Sequence, residues 1–103
     1  MIYHFPAVVG FDWDEGNIDK NVQKHGISNN ECEQIFFNEP LIILDDAKHS
    51  QEERRYAAFG FTDEDKKLMI IFTLRSNRIR VISARAMSKK ERAFYEKFVK
   101  ENS

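Results

Sequence analysis

The chain has one cysteine, Cys32, among its 103 residues. No intramolecular disulfide can close, no cysteine-based zinc site can be built, and the chain suits a reducing, cytosolic compartment. Cys32 lies between Glu31 and Glu33, whose charges oppose a thiolate, so it reads as a small packed side chain and not as a nucleophile. Four glycines and two prolines leave no low-complexity linker and no glycine-rich phosphate loop. The longest apolar stretch, near Leu68–Phe72, is far short of the ~20 residues that span a bilayer, which excludes a membrane partner. The segment Met1–Pro6 lacks the basic start of a signal peptide. None of the three histidines, His4, His25 and His49, stands at a metal-ligand spacing from another. There is no internal repeat, and the length predicts a single domain over 1–103.

The order of elements predicts an α+β fold. Ala7–Trp13 is short, apolar and β-prone, a first strand. Asp14 is a good N-cap for a first helix over 15–25, with Ile18, Val22 and His25 on one face and Gly26 at its end. Ser28 and Glu31 form a capping box for a second helix, with Ile27 and Cys32 placed as a staple and Pro40 ending it. Strand-like runs follow at Leu41–Leu44, Arg54–Thr62, Lys67–Leu74 and Arg78–Arg85, the last three as an antiparallel meander. Ser88 and Glu91 cap a final helix whose stripe of Phe94, Tyr95, Phe98 and Val99 faces the sheet. Helices thus separate from a mostly antiparallel sheet.

A formal net charge of −1 argues, read alone, against a nucleic-acid partner. The distribution reverses that reading. Residues 1–74 hold seven Lys+Arg and fourteen Asp+Glu, and residues 75–103 hold nine and three, so the two parts carry −7 and +6. Strand alternation predicts Arg78 and Arg80 on one side of the last strand with Ile82 and Ala84, and Arg85 at the end of the other, with Ile79, Val81 and Ser83. Arg75 ends the neighbouring strand across Ser76-Asn77. The planar fork of a guanidinium suits phosphate. The same arginines also suit a solvated edge that resists aggregation, or a dock for an acidic protein segment.

His25 reads as a helix C-terminal residue favoured by the dipole, and His49 as a loop residue or, beside carboxylates, a general base. Tyr95 reads by default as core with a satisfied hydroxyl.

Several segments, in order, resemble the BrnT family of type II toxins: Phe11-Asp12-Trp13-Asp14, Asn21, Lys24-His25-Gly26-Ile27, His49 with Glu53-Arg54-Arg55, Thr73-Leu74-Arg75, Arg80-Val81-Ile82-Ser83-Ala84-Arg85, Glu91 and Tyr95. The resemblance covers about residues 8–98. Two places depart from it: Asn29-Asn30 stand where an aromatic is frequent, and Ala86 where an acidic residue is. The resemblance implies a RelE-like fold and a small cytoplasmic endoribonuclease that needs no metal or other cofactor and inhibits translation. Its implied partners are an RNA substrate and a BrnA-type ribbon-helix-helix antitoxin, in a hetero-oligomer that meets DNA only through the antitoxin. Such cleavage needs an acid/base pair and cations on the phosphate. On this reading His25, His49, Arg75, Arg80 and Arg85 are the catalytic candidates, and Lys24, Arg78, Lys89 and Tyr95 the RNA-binding ones. The competing expectations are a non-catalytic, antitoxin-binding co-repressor and an RNA- or ribosome-binding module.

Overall fold

A computed structural model describes residues 8–49 and 52–102, with Asn21 and His49 described by their backbone alone. The expectations for His4, for the first strand at Ala7 and for the side chain of His49 lie outside the described residues.

The alternating apolar runs pair into one sheet of order β1-β5-β4-β3-β2. β1 (Gly10–Phe11) is parallel to β5 (Arg78–Ala86). β5, β4 (Lys67–Arg75), β3 (Tyr56–Phe61) and β2 (Ile42–Asp45) are antiparallel neighbours. Ser76 and Asn77 both take positive φ, 50° and 62°, the condition for a two-residue hairpin link between β4 and β5.

The two-residue period of each strand sends its side chains to two cores. Tyr56, Ala58, Leu68, Ile70, Phe72, Ile79, Val81 and Ala84 pack on one face with Ile27, Cys32 and Ile35. Ile42, Phe59 and Met69 pack on the other with Met87 and Tyr95. The second core includes the final helix, α3 (Lys89–Glu101), which Ser88 and Glu91 cap as the sequence predicts. The class is therefore α+β.

The N-terminal helices differ from expectation. Residues 15–19 are turn, and α1 is only Lys20–His25. Three local demands defeat the longer helix. Asp14 gives its carboxylate to Arg80 and the Gly16 N–H, Asn17 turns inward, and Asp19 takes φ 59°. The proposed apolar face of this helix is not a core face: Ile18 and Val22 are exposed. α2 (Asn29–Gln34) keeps its capping box at Ser28 but stops short of Pro40. Its chain leaves through i−3 bonds from Phe36 N–H to Glu33 and from Phe37 N–H to Gln34.

A bulge corrects the expected sidedness of β5. Ile71 pairs with Ser83 but Phe72 pairs with Val81, which leaves Ile82 without a cross-strand partner. One extra residue reverses the alternation. Ile79, Val81 and Ala84 all enter the same core, so Arg85 shares the opposite face with Arg78 and Arg80.

Candidate functional site

The bulge therefore places Arg78, Arg80, Ser83 and Arg85 along one face of β5, with Arg75 opposite Arg78 in the ladder. Arg78 and Ser83 are exposed. Two like charges directly opposed across antiparallel strands disfavour the pairing unless a counter-charge lies beside them.

Each of the other three arginines meets one of the chain's own carboxylates. Arg80 is gripped through two nitrogens by Asp14, at 2.9 Å each, with Asp12 at 3.5 Å, and its side chain is only 12% exposed. The guanidinium beside Asp14 holds that carboxyl below its usual range, helped by the Gly16 N–H. Gly16 is required for this approach, since a Cβ there would lie 2.9 Å from an Arg80 nitrogen. Arg85 is gripped by both oxygens of Glu91, at 2.7 and 3.0 Å. Arg75 is held more loosely, 3.5 Å from Glu53.

Asn17 positions the segment that carries Asp12 and Asp14. β1 ends after two residues, and the Asp12 N–H makes the last backbone bond to Ile79, at 2.8 Å. The buried Asn17 amide then donates to the carbonyls of Asp12 and Val81, at 2.9 and 3.1 Å, and accepts from the Asp14 N–H. A side chain thus continues the sheet edge where backbone pairing stops.

The two candidate histidines belong to different ends. His25 closes α1 and lines a cleft of about 500 Å³ with Lys66, Lys67, Ala86, Arg92 and Glu96. His49 ends a 3₁₀ turn, Ala47–His49, that follows Asp46, whose N–H bonds to Arg55. That turn belongs to the end of the sheet where Arg75 and Arg78 lie. Arg78 and Arg85 are seven residues apart on one strand, roughly 20 Å at ~3.3 Å per residue, so the arginines do not converge on a single phosphate.

Lys24 is exposed on α1, and Lys89 is exposed in the first turn of α3, where it opposes the helix dipole. Tyr95 is placed otherwise. Its ring is 1% exposed and its hydroxyl donates to the Pro40 carbonyl, so it offers no face for a base to stack on. Burial pushes its pKa up to about 12.

Sequence reasoning missed Asp12, Asp14, Asn17 and Glu53 as partners of the arginine face. It reads Glu91 as a capping residue and as part of the family resemblance, without linking it to Arg85. No spacing rule links Asp14 with Arg80 or Glu53 with Arg75, because each pair meets only through the fold.

A family model described as "Ribonuclease toxin, BrnT, of type II toxin-antitoxin system" matches residues 13–91. The chain belongs to the BrnT family. The match spans every strand arginine described above, together with Glu53 and Glu91. Membership makes the chain one of a family of type II ribonuclease toxins, for which an antitoxin is the partner. No curated protein matches the chain. Among the described residues no helix is long and apolar enough to cross a membrane.

Proposed function

We propose that the chain acts as one BrnT-like domain with a RelE-like fold, a cytoplasmic endoribonuclease that cleaves RNA and so inhibits translation. It is neutralised by a BrnA-type ribbon-helix-helix antitoxin in a hetero-oligomer, and DNA is contacted by the antitoxin alone. The observation that carries the reading is the arginine face of β4 and β5, assembled by the bulge at Ile82. Its exposed end, Arg75 and Arg78, suits a phosphodiester backbone.

The chemistry uses side chains alone. A general base removes the proton of the ribose 2′-OH, and that oxygen attacks the adjacent phosphorus. Arginines stabilise the charge that develops on the non-bridging oxygens. The bond from phosphorus to the 5′-oxygen breaks, an acid protonates that oxygen, and a 2′,3′-cyclic phosphate remains. Arg75 and Arg78 are the guanidiniums best placed to reach a phosphate, because Arg80 and Arg85 are each engaged bidentately by a carboxylate. His49 belongs to their end of the sheet and is the acid/base candidate there, while His25 lines the far cleft, and Lys24 and Lys89 are exposed cations for RNA.

Incubation of the purified protein with RNA in the presence of a chelator tests the reading. Fragments ending in 2′,3′-cyclic phosphate are expected, with no cleavage of the 2′-deoxy analogue. Intact RNA in every condition would overturn it. The bidentate pairs of Arg80 and Arg85 favour one second reading, a non-catalytic antitoxin-binding co-repressor. Induced expression separates the two: growth arrest belongs to the ribonuclease, and harmless expression with a tightly co-purifying small partner belongs to the co-repressor.

A further inference from the structure

Three adjacent strands bring an arginine to the same end of the sheet. Arg55 directly precedes β3, Arg75 ends β4 and Arg78 begins β5. Between the first two lies Glu53, with one carboxylate oxygen 3.9 Å from Arg55 and the other 3.5 Å from Arg75. A carboxylate bonded to a guanidinium normally sits at ~2.7–2.9 Å. Glu53 is therefore attracted by both arginines without closing on either. Contrast Glu91 and Asp14, which close on their arginines at 2.7–3.0 Å. Arg75 and Glu53 are also open to solvent, at 49% and 33% exposure.

The geometry points to a phosphodiester subsite framed by Arg55 and Arg75, with the Glu53 carboxylate as its internal occupant when no substrate is bound. A phosphodiester presents two non-bridging oxygens, the same two-oxygen fork that Glu53 now turns towards the two arginines. Arg78, opposite Arg75 in the ladder, adds a third positive charge at the same end of the sheet. Substrate entry displaces Glu53, and because its contacts are loose the displacement is cheap. The inference rests on the ribonuclease reading for the source of the phosphodiester, and not for the anion site itself.

Binding of a short 2′-O-methyl oligoribonucleotide, which lacks the attacking hydroxyl, tests it by fluorescence anisotropy over a salt series, with inorganic pyrophosphate as a second probe. Glu53→Gln keeps the shape and removes the charge, and is expected to tighten binding about two- to fivefold, the scale of one exposed ion pair. Arg55→Ala is expected to abolish that gain in the double variant and to lower the salt slope by about 0.7, one phosphate contact on a single strand. Unchanged or weaker binding by Glu53→Gln, with the fold intact by its melting curve, overturns the subsite. Cleavage of unmodified RNA by the wild type, with no response of oligonucleotide binding to Glu53→Gln, removes the subsite and leaves the ribonuclease reading. Pyrophosphate binding with the expected order of variants, but no RNA binding, keeps the anion subsite and removes the ribonuclease reading.

Discussion

Glu91 holds Arg85 with both carboxylate oxygens, at 2.7 and 3.0 Å, while one of them also accepts the Ser88 N–H at 2.8 Å. One side chain thus closes the N-terminal cap of α3 and fastens that helix to the end of β5. Arg85 is in the first place a structural anchor, and a phosphate that took it would compete with Glu91.

The pair makes stability depend on pH. The hydrogen bonds from Arg85, and then from the Ser88 N–H, hold the Glu91 carboxyl below its usual range. A carboxyl lowered by folding stabilises the folded state above its unfolded pKa, roughly 4.3, and that contribution is lost as pH falls through the folded value. Glu91→Gln is expected to lose about 1 kcal/mol at neutral pH, kept small because the Arg85 side chain is 41% exposed. Urea midpoints from pH 7 to pH 3 check this. The wild type should lose its advantage over Glu91→Gln only below about pH 4.3, and a constant difference across that range counts against the pair.

Asn17→Ala removes a buried amide that serves two backbone carbonyls and one N–H. Groups left buried and unpaired cost about 1–3 kcal/mol, so the unfolding free energy from urea titration should fall by that much. Gly16→Ala is expected to act by another route, forcing Arg80 and Asp14 apart because its Cβ would meet both, at 2.9 and 3.1 Å. Loss of Asp14's acid-range titration shift, followed by NMR, reports that separation.

Cys32 should be silent to thiol reagents in the folded protein. Burial, reinforced by Glu31 and Glu33, pushes its pKa up to about 12, and the side chain has no exposed surface. Labelling should appear only with denaturant and follow the unfolding curve. Fast labelling of the native protein at neutral pH would contradict the packing around α2.

Much of the fold was legible because its signals are local. Both capping boxes, the four strand runs after Pro40 and the Phe98/Val99 stripe of α3 follow from residues within a turn or two of each other. The first helix was misread for the opposite reason. Asp14 is a good cap by local rules, but its carboxylate is taken by Arg80, sixty-six residues on. The bulge at Ile82 was equally invisible, since Arg-Val-Ile-Ser-Ala-Arg alternates acceptably in either register, and only the shared core of Val81 and Ala84 decides which face receives Arg85. The candidate site was legible as a set of arginines and illegible as a place, because the carboxylates that sort Arg75 and Arg80, Glu53 with Asp12 and Asp14, come from the acidic N-terminal part.

Tyr95 makes that sorting concrete. Its hydroxyl donates to Pro40 across fifty-five residues, tying α3 to the chain before β2. Tyr95→Phe keeps the ring in the core and loses one hydrogen bond, so a fall of about 0.5–1.5 kcal/mol in unfolding free energy is expected. No change in stability would mean the bond contributes nothing.

On the proposed ribonuclease reading, the opposed pair Arg75 and Arg78 serves phosphate and not the stability of the hairpin. The direct test is RNA cleavage by the double variant Arg75→Ala/Arg78→Ala, with its unfolding midpoint measured beside it. Removing two like charges that face each other should leave stability equal or higher, while loss of transition-state contacts should lower cleavage about 100-fold or more. Cleavage within about threefold of wild type, well under the loss expected from even one such contact, would contradict the account.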